Sequence, residues 1–155
     1  MSYIKSIFAR EIIDSRGVPT IEVEIKLSTG HIGTASVPSG ASTGSFEAHE
    51  LRDGDKKRFF SKGVQNAVKL INSEIQQTIL GFDATKQKEI DENLVELDGT
   101  QNKKRLGANS ILAVSLACAK ASSNLFNIPL YKYIGGIHNS LPTPMMNIMN
   151  GGCHS

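Results

Sequence analysis

At 155 residues the chain is long enough for one domain with its own core. A hydrophobic content of 39%, a charged content of 21% and a formal charge of +2 describe an ordinary globular composition and make no case for nucleic-acid binding. No apolar run reaches membrane-spanning length, and Met1–Ser6 lack the apolar stretch of a signal peptide, so the expected compartment is the cytoplasm.

The first elements read as strands. From Pro19 to Ser28, Ile21, Val23, Ile25 and Leu27 alternate with Glu22, Glu24 and Lys26, which predicts one buried and one wet face. Ser28-Thr29-Gly30 turns the chain, and His31 to Val37 runs back. Tyr3 to Ile12 is a third strand with less regular alternation, followed by a turn at Asp14-Ser15-Arg16-Gly17. The expected result is an antiparallel three-stranded meander.

The period then changes. Phe60, Val64, Val68, Ile71, Ile75 and Ile79 keep a helical stripe that ends at Gly81. Asp83 or Thr85 caps the next helix, on which Ile90, Leu94 and Leu97 recur before Asp98-Gly99. Lys103-Lys104-Arg105 reads as a solvated helix entry. Ala108 to Phe126 is apolar on nearly every side and is expected to be central and buried, with Cys118 as a small core residue. Cys118 and Cys153 offer neither a disulfide framework nor metal-ligand spacing, and reduced thiols are expected. Pro129 opens a short helix from Leu130 to Ile134 that Gly135-Gly136 stops. Strands first and helices after predict an α+β domain rather than a βαβ series.

Residues 1–136 read as a domain, and 137–144, with two prolines, as a linker. Met145 to Asn150 is suited to a buried strand that Gly151-Gly152-Cys153-His154 ends sharply, so 145–155 reads as the start of a second domain.

The segment Val37-Pro38-Ser39-Gly40-Ala41-Ser42-Thr43-Gly44-Ser45 carries glycines and hydroxyls but no long side chain, so it contributes little core and brings backbone groups close to a ligand. Three readings compete. Gly40-Ala41-Ser42-Thr43-Gly44 has the G-x-S-x-G form of a nucleophile elbow, but an elbow needs a parallel sheet and this strand belongs to an antiparallel meander. A phosphate cradle fits the glycines, although no Gly-Lys-Ser/Thr ends the run. A plain connection is the third.

Several stretches, in order along the whole chain, carry a family likeness: Ala9-Arg10-Glu11-Ile12-Ile13-Asp14-Ser15-Arg16-Gly17, the Ser39–Gly44 loop, Glu50-Leu51-Arg52-Asp53-Gly54-Asp55, Leu97-Asp98-Gly99-Thr100 with Leu106-Gly107-Ala108-Asn109, and Asn147–His154. Together they resemble the amino-terminal third of an enolase (phosphopyruvate hydratase). The resemblance implies an N-terminal meander-plus-helices domain followed by a large β/α barrel, with Pro144–Asn150 as the first barrel strand and His154 in the loop at its active-site end.

The implied reaction is the reversible dehydration of 2-phosphoglycerate to phosphoenolpyruvate, a step of glycolysis and gluconeogenesis. The proton removed lies next to a carboxylate, so the intermediate is a doubly charged enolate that two Mg²⁺ ions stabilise. By the same resemblance, Ser42 is a Mg²⁺ ligand through its hydroxyl and carbonyl oxygens. Ala41 approaches substrate through its backbone, and His154 binds substrate and balances charge as a catalytic residue. Ser39, Gly40, Ala41, Ser42, Thr43 and Gly44 form a mobile lid, with Thr43 as a supporting hydrogen-bond group. His31, His49 and His138 have no such role and read as surface or turn residues.

Three positions bear on the family pattern, the least informative being Phe46, a variable position just after the loop. Val18 stands where Asn is usual, which bears on the turn's hydrogen bonds, and Cys153 replaces the usual Ser, an oxidisable exchange. The family's lysine base, catalytic glutamates and acidic ligands for the first Mg²⁺ belong to the barrel, so residues 1–155 alone are expected to be inactive. The resemblance also implies a homodimer, with Arg10-Glu11 and Asp14–Gly17 as candidate contact surface; a strand end and a turn is the plain reading of those residues. Met145, Met146, Ile148 and Met149 are expected to be exposed in the isolated segment and to promote association. The alternative function is a non-catalytic interaction module, or a portion of the longer enzyme.

Overall fold

The computed structural model describes residues 2–40, 44–137 and 140–149. Strand β1 (Ile4–Ile13) pairs antiparallel with β2 (Pro19–Leu27), and β2 with β3 (Ile32–Val37), in the order β1-β2-β3. Ile21, Val23, Ile25 and Leu27 are fully buried, while Glu22, Glu24 and Lys26 face outward, as the period-2 pattern requires. The register sets Arg10 opposite Glu22, and their side chains pair with Nε donating to Oε1 at 2.7 Å.

One long helical stretch follows, made of α1 (Gln65–Leu70), a π-helical turn (Ile71–Ile75) and α2 (Gln76–Ile79). Then come α3 (Gln87–Asp98), α4 (Ala108–Leu125) and α5 (Leu130–Gly135). The α+β architecture expected from the sequence is the observed one. Helix α4 lies against β2 and β3, and its Ala113, Val114, Ala117, Cys118 and Ala121 are fully buried. Contact is close because β3 carries Gly33 there: a Cβ would sit 2.2 Å from Ala121 N and 2.3 Å from Ala117 O. Burial pushes the Cys118 thiol up to about 12, so it is an inert core group.

Three expectations need correction. The helical stripe does not begin at Phe60. Phe59, Phe60 and Ser61 all take positive φ (46°, 51° and 72°), a left-handed turn that leaves Phe60 91% exposed, and the helix starts at Gln65. Spacing alone cannot report the hand of a backbone turn. Neither Asp83 nor Thr85 is the N-cap of α3, which is Lys86; Asp83 Oδ1 instead accepts from the Thr85 N–H and hydroxyl in a preceding turn. The strand expected from Met145 to Asn150 does not form over its described part, 145–149. Its backbone has no neighbouring strand to pair with, and Met145, Met146, Ile148 and Met149 are exposed.

Candidate functional site

The loop after β3 is best understood from its two feet. Val37 ends the strand and its carbonyl accepts from the Thr20 hydroxyl. At Ser39 two arginines converge. Arg16 donates through Nη2 to the Ser39 carbonyl, and Arg52 donates through Nη2 to the Ser39 hydroxyl oxygen. That hydroxyl donates in turn to Glu50 Oε1, which also takes Arg52 Nη2 at 2.8 Å.

Arg16 reaches Ser39 from the turn that follows β1. Asp14 Oδ1 accepts the N–H groups of Arg16 (2.9 Å) and Val18 (2.8 Å), while Asp14 N–H donates to Val18 O at 2.9 Å. The turn uses the backbone of residue 18, so Val in place of Asn leaves these bonds intact. The N–H of Val18 is the strongest influence holding the Asp14 carboxyl below its usual range.

The second foot is His49–Leu51. His49 N–H donates to Asn102 O at 2.7 Å, and its carbonyl accepts from Ala108 N–H at 2.7 Å. Asn109 grips Leu51 at both backbone atoms, Oδ1 accepting its N–H (3.0 Å) and Nδ2 donating to its carbonyl (3.1 Å). Gly107, with φ of 88°, permits this approach, since a Cβ there would fall 2.5 Å from the Leu51 side chain. The start of α4 is fixed from the other side by Asp98, whose Oδ2 accepts Leu106 N–H at 2.7 Å and whose Oδ1 accepts from Thr100. Burial, the largest single influence, pushes the Asp98 carboxyl up. The Thr100 hydroxyl and the Leu106 and Thr100 N–H groups outweigh it and hold the group below its usual range.

Beyond Leu51, Asp53 accepts the N–H groups of Gln65 (2.9 Å) and Asn66 (2.8 Å) and so caps the first turn of α1 from a distant loop. Glu11 binds Arg58 through both carboxylate oxygens and accepts Val64 N–H at 2.8 Å. The Arg58 hydrogen bond is the main cause of its lowered pKa.

A cleft of about 610 Å³ lies between the loop feet and the start of α4, lined by Ser39, Gly40, Glu47, His49, Asn109 and Leu112. A second of about 480 Å³ opens on the other side of Ser39 and Glu50, against Arg16, Arg52 and Lys62. A roomier groove between α3, α4 and α5, about 1020 Å³, is remote from the loop; the convergent polar groups, rather than volume, make the loop cleft the candidate site.

Of the site residues expected from the sequence, Ser39 and Gly40 lie in the described structure at the first foot, and Gly44, whose carbonyl accepts Glu47 N–H at 3.2 Å, lies in a turn ahead of the second. Ala41, Ser42, Thr43 and His154, together with His138 and Cys153, lie outside the described residues. Among the described residues no group of three or more His, Cys, Asp or Glu side chains is arranged to hold a metal, so by themselves they do not fit a Mg²⁺ site. The residues to which sequence reasoning gave no part in the loop are Arg16, assigned there to a candidate dimer contact, and Glu50, Arg52 and Asn109. All four stood inside the quoted motifs, which was the available signal.

A three-stranded antiparallel meander followed by helices, with the chain pinned on both sides of the Ser/Gly segment, defines an α+β domain. The family described as "Enolase, N-terminal domain" matches residues 4–134, and the chain belongs to it. Among the described residues no helix is long and apolar enough to cross a membrane.

Proposed function

We propose that the chain is the amino-terminal part of a phosphopyruvate hydratase, a carbon–oxygen lyase that interconverts 2-phosphoglycerate and phosphoenolpyruvate in the cytoplasm as a homodimer. The observation that carries this reading is the family match together with the two-footed loop, whose supports come from the same motifs that carry the likeness. In this reading Ser42 is an oxygen ligand to Mg²⁺, Ala41 meets substrate through its backbone, and His154 hydrogen-bonds substrate and balances its charge. Ser39–Gly44 is the segment that moves over the site. Residues 1–136 form the domain, 137–144 the linker and 145–155 the start of the barrel. By the family resemblance the remaining ligands and the proton-transfer groups belong to a barrel, and residues 1–155 by themselves do not turn over substrate.

The test uses the chain alone and the chain joined at Pro144 to the barrel portion of an enolase, with phosphoenolpyruvate formation followed by ultraviolet absorbance in the presence of Mg²⁺. The expected result is no turnover by the chain alone, turnover by the fusion, and a loss of roughly 10²-fold with Ser42→Ala, the scale of misplacing one reacting group. Turnover by residues 1–155 alone would overturn the need for a barrel. A folded fusion without turnover would overturn the assignment itself.

A further inference from the structure

The two clefts that flank Ser39 carry opposite charge. The one beside α4 is lined by Glu47 and Glu50 and by no lysine or arginine. The other, of about 480 Å³, brings Arg16, Arg52 and Lys62 together from three separate segments, with Glu50 as its one acidic side chain. Like charges gathered in a cleft raise the local potential and draw in a counter-ion. Arg52 is the fixed member of the three. Its Nη1 donates to Pro19 O at 2.6 Å and to Lys62 O at 2.5 Å, and its Nη2 to Glu50 Oε1 at 2.8 Å, on a side chain only 19% exposed. The other two have donors left over. Arg16 uses Nη2 for Ser39 O and, at 3.4 Å, for Asp14 Oδ2, which leaves its Nε and Nη1 without a protein partner among the described residues. Lys62 is exposed, and among the described residues its ammonium forms no ion pair.

We propose that this second cleft binds a phosphate group, as inorganic phosphate or a small phosphate monoester, between the Arg16 guanidinium and the Lys62 ammonium. A guanidinium edge meets an oxyanion through two parallel bonds, and an ammonium meets it as a point charge from another direction. A tetrahedral phosphate has oxygens for both, whereas a planar carboxylate is filled by the guanidinium alone. Arg52 adds charge from the wall, and its bond to Lys62 O keeps that residue beside the cleft. The inference needs neither Ser42, nor a metal, nor the proposed reaction. Both binding cations belong to segments outside Ser39–Gly44, so movement of that loop leaves them in place.

The test is a titration of the 155-residue chain with inorganic phosphate at about pH 8 and constant ionic strength, followed by amide ¹⁵N–¹H shifts. Saturation with a Kd of about 1 to 10 mM is expected, the strength of two or three exposed charge contacts, with the shifts confined to the cleft residues Val18, Gly40 and Lys62. Glycerol phosphate should follow the same course and acetate should not saturate. Arg16→Gln and Lys62→Gln should each weaken binding by about 10-fold, the scale of one charge-assisted hydrogen bond. Lys88→Gln, on α3 and outside the cleft, should leave it unchanged. Shifts spread over all the surface lysines, equal weakening in Lys88→Gln, or acetate matching phosphate overturns the site; Lys62→Gln keeps the test decisive if Arg16→Gln fails to fold. A carboxylate from a second copy is another oxyanion that Arg16 could meet. Repeating the titration at about tenfold higher protein concentration separates the two: an unchanged Kd supports the phosphate site, and an affinity that falls with protein concentration overturns it. No arm involves turnover, so failure here and failure of the proposed reaction are read independently.

Discussion

The β2–β3–α4 layer and the feet of the Ser/Gly loop are held by opposite means. In the layer, apolar side chains with no exposed surface lie against one another, and Gly33 lets a strand touch a helix backbone. At the feet, arginine, asparagine and carboxylate side chains bind main-chain atoms across long sequence separations, and several of these groups are partly exposed. Apolar contact is non-directional and tolerates many compositions of similar volume, so it gives stability without placing any one atom finely. Hydrogen bonds from a planar fork or a carboxamide are directional, each contributing about 1 kcal/mol net or roughly twice that where a charged guanidinium donates, so they add the placement that apolar contact lacks. Loss of stability and loss of local order should therefore separate when each region is damaged.

The sharpest way to break the comparison is at Gly33. Gly33→Ala puts a methyl group against two α4 backbone atoms, and a stability loss of about 3 kcal/mol is expected in urea unfolding, the upper end for overpacking. A loss below about 0.5 kcal/mol would mean the layer is looser than its contacts imply. Asn109→Ala should cost less, about 2 kcal/mol, because it removes both bonds to Leu51. Amide exchange should then speed up at His49–Leu51 and stay unchanged in β2; equal acceleration in β2 would erase the distinction.

Acid separates the regions further. Glu11 and Asp98 ionise more readily in the folded chain than in the unfolded one. Their stabilisation is therefore complete above the unfolded carboxylate values of about 4 and is lost as pH falls through the lower folded values. The urea midpoint should be flat from neutrality to about pH 5 and drop below about pH 4, with a shallower acid limb in Glu11→Gln. A parallel limb in that variant would show that the Arg58 pair adds nothing. The smallest effect is a gain: Ser61→Gly relieves a left-handed residue and should stabilise by about 1 kcal/mol, read as a raised thermal midpoint. No change would mean the turn is set by its hydrogen bonds alone.

Much of the fold was legible because burial leaves a period. Ile21 to Leu27 alternate and line one face, and the long apolar helix expected over Ala108–Phe126 is observed over Ala108–Leu125. The turn at Phe59–Ser61 was not legible, since its spacing mimics a helix while its backbone has the other hand. The loop itself stood out by composition. Its supports did not, because a bond such as Asn109 to Leu51 joins residues that nothing local connects. Arg52 and Asp53 sit side by side in one motif yet serve different elements, the loop foot and the start of α1, a division visible only once the chain is folded.

The π-helical turn at Ile71–Ile75 has a consequence for life in a crowded solution. It carries Asn72, whose carboxamide accepts Ala9 N–H at 2.7 Å and donates to Ala9 O at 2.8 Å on the outer side of β1. An edge strand offers those same two atoms to any passing chain that can add itself to the sheet. Here the carboxamide occupies, at the middle of β1, the two backbone positions a foreign strand would need, while Phe82 O and Gly81 N–H occupy those of Ile4.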